Sequence, residues 1–375
     1  MRAIAVVDGE HYPDVVRDAL AELPYEFVGV LLVGGTEKLR GEPDYGVPIV
    51  DGPGGAEIVV DLSDEPVLDP ERRLQLASRV LAEGIPYVGA DFRFDPPRFH
   101  PFDRPSLAVI GTGKRVGKTA VTGHIARLLA RDRSVVVVAM GRGGPAEPEL
   151  VASPPTLDDL VALSRAGRHA ASDHFETALL ARVPTVGCRR AGGGMAGAPF
   201  ASNVLEGAQL AASLDPDVVV FDGSGAAIPP IATSARVLVA HDLSGLNAYR
   251  ALVSDLVLTM SDEIPRALRF SLRLRPMDEL QGRVAVFTTG PAPTDRLDGD
   301  VVYVSRNLAN RDLLREELAH IDADTYLVEV KAAAIDVVAE HALARGARLV
   351  PADNEVVAPG LDEAILGLVP EEART

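Results

Sequence analysis

Short apolar runs rich in valine and isoleucine alternate with stretches of helical periodicity along nearly the whole chain. Runs such as SLAVIG, SVVVVAMG and DVVVFDG are apolar at consecutive positions rather than at every second one. That is the pattern of strands covered by helices on both faces, and it predicts parallel βαβ units and an α/β architecture. Two blocks follow one another. In the first, strands RAIAVV, EFVGVLLV, EIVV and IPYVG alternate with helices near Asp14–Glu22 and Pro70–Glu83. It ends in DFRFDPPRFHPFDRP, Asp91 to Pro105, whose prolines forbid a regular helix and mark a linker. The second block opens with SLAVIG and runs through VPTVG, ARVLVAH, DLVLTM, RVAVFTTG, DVVYVS and TYLVEV. The expected division is a smaller α/β domain over residues 1–104 and a larger one over 105–375. Ligands of open α/β sheets bind at the carboxyl ends of the strands, and here those ends carry Gly, Asp and Ser.

One strand end has a specific chemistry. SLAVIG runs into GTGKRVGKT, Gly111 to Thr119, and then into the helical pattern TAVTGHIARLLARD. Strand, glycine loop and helix in that order form a P-loop. Gly111, Thr112, Gly113, Lys114, Arg115, Val116 and Gly117 are expected to wrap the phosphates of a nucleotide with backbone N–H groups, at the positive end of the helix that follows. Lys118 should reach the β- and γ-phosphates and Thr119 should hold Mg²⁺. The usual first glycine of the pattern is Thr112 here, with Gly111 just before it. The domain from residue 105 is therefore expected to be a P-loop NTPase-type, mostly parallel sheet. About a hundred residues on, DVVVFDG brings four hydrophobic residues up to Asp222, the form expected of a strand-end acid that binds Mg²⁺. The guanine-reading tetrapeptide NKxD is absent from the sequence, so ATP is the expected nucleotide.

Two further strand ends carry arginine among glycines. GRGGP contains Arg142, and GCRRAGGGMAGAP contains Arg189 and Arg190 followed by Gly192, Gly193 and Gly194. Guanidinium forks bind phosphate oxygens bidentately, and glycines let backbone N–H groups line an anion nest. Beside a P-loop these loops read as a clamp for an anionic substrate, against the plainer reading of solvated surface arginines. DGSGAAIPP continues from Asp222 and adds Gly223 and Ser224 to the substrate candidates. In the N-terminal block DGEHYP places His11 on a loop as a further ligand contact, and in EVKAAAID Lys331 ends a strand where it could meet a nucleotide phosphate.

Charge narrows the ligand further. The net charge is −17, which argues against a nucleic-acid footprint, so an anion must be held locally. Only four lysines occur, and Lys114, Lys118 and Lys331 lie in segments already singled out. No apolar run is long enough to cross a bilayer, and the N-terminal MRAIAVVDGEHYPD reads as a buried strand rather than a signal peptide. A single cysteine, Cys188, excludes an internal disulfide and fits a reducing compartment, so a cytoplasmic protein is expected. Oligomeric state stays open, with a homodimer as one arrangement.

The motifs DGEHY, GTGKRVGKT, MGRGGP, GCRRAGGG, DGSGAAIPP and VKAAAIDVV together resemble the cyclic 2,3-diphosphoglycerate synthetase family over nearly the whole chain. GTGKRVGKT alone is also similar to the loop of dethiobiotin synthetase and related P-loop ligases. The resemblance implies that ATP and 2,3-bisphosphoglycerate yield ADP, phosphate and a cyclic intramolecular phosphoanhydride. Lys118, Arg142, Arg189 and Arg190 would then act on the reacting phosphates. A metabolite kinase would share the loop but release no phosphate. A regulatory P-loop ATPase of the same superfamily would carry a lysine five positions before Lys118, where this chain has Gly113.

Overall fold

The computed structural model describes the chain except for residues 40, 157, 161, 163–172, 291–292, 331–334 and 370–375. It divides into two compact units, one of Met1–Arg98, Met195–Ala198 and Asp242–Ser254, the other of Phe99–Gly194, Pro199–His241 and Asp255–Thr375.

In the first unit, β1 (Arg2–Val7), β2 (Glu26–Leu32), β3 (Ile58–Asp61), β4 (Tyr87–Val88) and β5 (Arg93–Phe94) form one sheet in the order β2-β1-β3-β4-β5. All neighbours are parallel except β4 and β5. Helix α1 (Pro13–Glu22) starts on a proline that needs no N–H there. Helix α2 (Pro70–Ala82) starts the same way and is capped by Asp69, whose carboxylate accepts the Arg72 N–H at 2.9 Å. The strand β5 lies inside the stretch expected as linker. The short helix Asn247–Leu252, far away in sequence, belongs to this unit and packs on α2.

The second unit holds two sheets. The larger is built from β6 (Ser106–Gly111), β7 (Val135–Gly141), β8 (Glu149–Val151), β9 (Thr185–Ala191), β10 (Ala201–Ser202), β11 (Val218–Asp222), β12 (Ala235–Ala240), β13 (Leu256–Thr259) and β14 (Leu268–Arg269). Their order is β10-β9-β7-β11-β6-β12-β13-β14, with β8 pairing β9 off this path. Only β8 and β10 run antiparallel to their neighbour. Every residue of β6, β7 and β11 is buried, which is why these strands read as unbroken apolar runs. Helices α3 (Lys118–Leu129), α4 (Asp173–Ala181) and α5 (Val204–Ser213) pack on this sheet.

The second sheet comprises β15 (Ser271–Pro276), β16 (Arg283–Phe287), β17 (Asp300–Ser305), β18 (Thr325–Glu329) and β19 (Arg348–Val357), ordered β15-β19-β18-β16-β17. It carries α6 (Arg311–Leu318) and α7 (Ile335–Ala344), and α8 (Leu361–Leu368) follows it. Val356 of β19 and Leu361 and Ile365 of α8 share one buried cluster with Val121 and Ile125 of α3. The two sheets are therefore joined through the helix that starts at the P-loop. Among the described residues no helix is long and apolar enough to cross a membrane.

Candidate active site

Parallel register brings the chemistry to one sheet edge. Asp222, the last residue of β11, stands opposite Val109 of β6 and Ala139 of β7, while Gly141 at the end of β7 stands opposite Arg189 on β9. Loops leaving β6, β7, β9 and β11 thus emerge side by side.

The loop after β6 turns into α3 through Gly117, at φ +91°, in the left-handed region. A Cβ there would lie 2.9 Å from the Phe270 ring, so both conformation and space require glycine. Arg115 adopts φ +60° although it has a side chain, a backbone cost tolerated mostly at functional sites. Gly113 faces open space, with no atom within 4 Å of where a Cβ would be. The first amides of α3 have no intrahelical acceptor and point out of its N-terminus, as an anion needs.

Lys118 is 9% exposed and its ammonium is paired with the Asp222 carboxylate, itself 3% exposed. Thr122, one turn along the helix, donates to the same Oδ1 of Asp222 at 2.9 Å. Both donors fall on Oδ1, so Oδ2 keeps its lone pairs for a cation. Thr119 lines the same cavity as Asp222. Among the described residues no group of three or more His, Cys, Asp or Glu is arranged to hold a metal. A hydroxyl and one carboxylate oxygen at a phosphate-binding loop fit Mg²⁺, which keeps waters and phosphate oxygens as its other ligands.

The cavity measures about 310 Å³ and is lined by the loop from Gly113 to Thr119, by Arg142 and Gly143, and by Asp222, Gly223, Ser224 and Gly225. Gly225, at φ +59°, is where the two arginine loops converge: a Cβ on it would lie 2.9 Å from Arg142 Nη2 and 3.7 Å from Arg190 Nη2. Arg190 donates to the Ser224 carbonyl at 2.9 Å and to the Gly192 carbonyl at 2.5 Å. Gly223 is packed against the Ala227 and Val109 carbonyls, leaving no room for a side chain.

Arg189 is placed differently from Arg190. Successive residues of a strand point to opposite faces, and Arg189 is exposed while Arg190 is half-buried. Gly192, at φ +69°, turns the chain after β9; Gly193 and Gly194 are exposed beyond it. Cys188, beneath these loops, has its thiol pushed up to about 12 by burial and by Glu206, which disqualifies it as a nucleophile.

His11 belongs to the first unit. Its Nδ1 lies 2.9 Å from Oδ1 of the fully buried Asp8 and its Nε2 lies 3.5 Å from Asp64. Lys331 lies outside the described residues. The glycines of DGSGAAIPP, Gly225 among them, read from sequence as backbone close to substrate or phosphate, whereas Thr122 carries no motif of its own. The i,i+4 spacing from Lys118 is the signal for Thr122, and that Gly225 is where Arg142 and Arg190 meet is visible only once the arginines are in space.

Family models for cyclic 2,3-diphosphoglycerate synthetase match the chain in three parts: the N-terminal domain over residues 2–55 and 52–95, the P-loop domain over 106–268 and the C-terminal domain over 276–355. A protein of Rubrobacter xylanophilus named cyclic 2,3-diphosphoglycerate synthetase is 47% identical, covering 98% of this chain and 97% of the relative. One of the same name from Thermococcus kodakarensis is 42% identical over 94% of each chain. The solved structure of LpxK from Aquifex aeolicus in complex with ATP covers 80% of this chain and 96% of that one, with a TM-score of 0.45 at 13% identity.

Proposed function

The chain belongs to the cyclic 2,3-diphosphoglycerate synthetase family, and on that premise we propose that it joins the two phosphates of 2,3-bisphosphoglycerate with the help of ATP and Mg²⁺. The observation that carries this reading is the approach of Arg142 and Arg190 to Gly225, which together with Arg142 lines the same cavity as Lys118 and Thr119. A nucleotide kinase needs cations for the transferred phosphoryl group. A pair of guanidinium groups in addition to Lys118 suits a substrate that already carries two phosphates.

The chemistry requires two displacements. The γ-phosphoryl group passes from ATP to an oxygen of one substrate phosphate, releasing ADP. An oxygen of the other substrate phosphate then attacks the inner phosphorus, the bond to the terminal phosphoryl breaks, and orthophosphate leaves as the ring closes. Lys118 would neutralise charge that builds on the transferring group in the first step. Thr119 and Asp222 Oδ2 would hold Mg²⁺, which when bound supplies positive charge to the β- and γ-phosphate oxygens. Arg142 and Arg190 would offset the repulsion between the substrate phosphates and hold them within reach, while Arg189, on the other face of β9, stays outside the clamp. Such tethering of reacting groups lowers a barrier by roughly 7–11 kcal/mol in favourable cases. No side chain need act as a base, because a phosphate oxyanion is already nucleophilic.

Product analysis tests the assignment. Orthophosphate released in proportion to added bisphosphate supports a synthetase. Phosphorylation of the metabolite without orthophosphate would indicate a kinase, and ATP turnover indifferent to metabolite a regulatory ATPase. Asp222→Asn should shift the Mg²⁺ titration to higher concentration, since an amide replaces a charged oxygen; an unmoved titration would remove Asp222 from the metal site.

A further inference from the structure

Asparagine is a leading helix N-cap because its side chain accepts an N–H of the first turn. Asn203 occupies the N-cap position of α5, yet its side chain makes no capping bond. Instead Ser202 Oγ accepts the Val204 N–H at 3.1 Å. The Asn203 amide is spent elsewhere. Its Oδ1 accepts the Arg189 N–H at 2.7 Å, and its Nδ2 donates to the carbonyls of Pro145 and Ala146 at 3.3 and 3.2 Å. The Asn203 backbone N–H also donates to the Arg189 carbonyl at 3.3 Å. One side chain thus ties the end of β9 to the loop that leaves β7.

Those are the two segments that carry Arg190 and Arg142. They also touch directly: a Cβ on Gly144 would lie 2.0 Å from the Cys188 carbonyl oxygen. Gly144 lets the backbones meet, and Asn203 bonds to both.

We propose that Asn203 is a positioning residue for the substrate phosphates, latching the two loops so that Arg142 and Arg190 act as one clamp. This rests on the bisphosphate reading above. The latch needs both halves of the amide, an acceptor toward Arg189 and a donor toward Pro145 and Ala146. Aspartate caps helices as well as asparagine does, but it has no donor and would set a carboxylate oxygen against two carbonyls. A mere cap would therefore tolerate Asn203→Asp, whereas a latch would not.

The test measures kcat and KM for 2,3-bisphosphoglycerate and for ATP in the full-length protein, with calorimetric binding of the bisphosphate alongside. Asn203→Ala and Asn203→Asp, checked for folding by circular dichroism, should each lower kcat/KM for the bisphosphate by about ten- to a hundredfold, as misplacement by about 1 Å does. KM for ATP should move by no more than about twofold, because the P-loop is untouched. In an Arg142→Ala background the further loss from Asn203→Ala should largely vanish, since residues acting through one another are not additive. A folded Asn203→Asp with wild-type values, or additive losses in the double variant, would overturn the latch. Wild-type protein that binds no bisphosphate would instead overturn the substrate reading, and the latch with it.

Discussion

The buried ammonium of Lys118 and the buried carboxylate of Asp222 form an ion pair, and Thr122 donates to the same carboxylate oxygen at 2.9 Å. The P-loop lysine is therefore part of the packed interior as well as a reagent. Lys118→Ala should cost at least about 10²-fold in turnover, by loss of charge stabilisation. It should also cost about 3–5 kcal/mol of stability, because one partner of a buried pair is left behind. Lys118→Ala combined with Asp222→Ala removes both charges. That double variant should regain most of the melting temperature and none of the activity. If it melts no higher than Lys118→Ala alone, the pair does not behave as a buried one.

The arginines should separate by placement. Arg142→Ala and Arg190→Ala are each expected to raise KM for the bisphosphate by roughly tenfold or more, with lysine at either position recovering only part, since an ammonium has no bidentate fork. Arg189→Ala, on the exposed face of β9, should change it by less than about threefold, the scale of exposed charge pairs. Equal effects at Arg189 and Arg190 in steady-state kinetics would mean that the substrate lies on the other side of the strand.

Gly225→Ala tests the convergence point without removing a charge. A methyl there meets Arg142 Nη2 at 2.9 Å and the backbone is held at φ +59°. Bisphosphate turnover should fall by about tenfold or more through misplacement of the guanidinium group, while nucleotide binding measured by fluorescence titration stays close to wild type. Loss of nucleotide binding instead would assign this turn to the P-loop side of the cavity.

Much of this was legible in the chain because it is local. A P-loop is a continuous backbone device, so GTGKRVGKT declares itself, and an all-buried strand such as VVVFD points to the acid at its end. The strands β15 and β19 were not expected. RLVPADNEVV contains a proline and four polar residues, which hide its strand character until Asp353 is seen taking Arg127 and Arg275, each at 3.0 Å. Likewise nothing local assigns Asp242–Ser254 to the first unit, or shows that Asn203 bonds two loops instead of capping its helix. Those facts depend on which distant segments meet.

Acid should weaken the first unit through Asp8. Burial works against the Asp8 charge, but the Asp64 N–H, His11 and the Glu10 N–H together outweigh it and hold the carboxyl below its ordinary value of 3.8. A lowered carboxylate adds stability that is complete above the ordinary value and is lost as pH falls through the lowered one. Asp8→Asn should therefore destabilise β1 and β3 at pH 7 by about 1–3 kcal/mol, through imperfect replacement of buried charged bonds. Below the ordinary carboxylate range the gap between wild type and variant in urea unfolding should narrow. A gap independent of pH would show that the Asp8 charge contributes nothing.

Cyclisation itself is read most directly by ³¹P resonance on a mixture of the protein, ATP, Mg²⁺ and 2,3-bisphosphoglycerate. Expected is loss of both phosphomonoester signals of the substrate, with a new intramolecular anhydride signal growing in step with ADP and orthophosphate, one of each per ring closed. Accumulation of a phosphorylated bisphosphoglycerate without orthophosphate, or consumption of ATP with both monoester signals unchanged, would contradict ring closure by this protein.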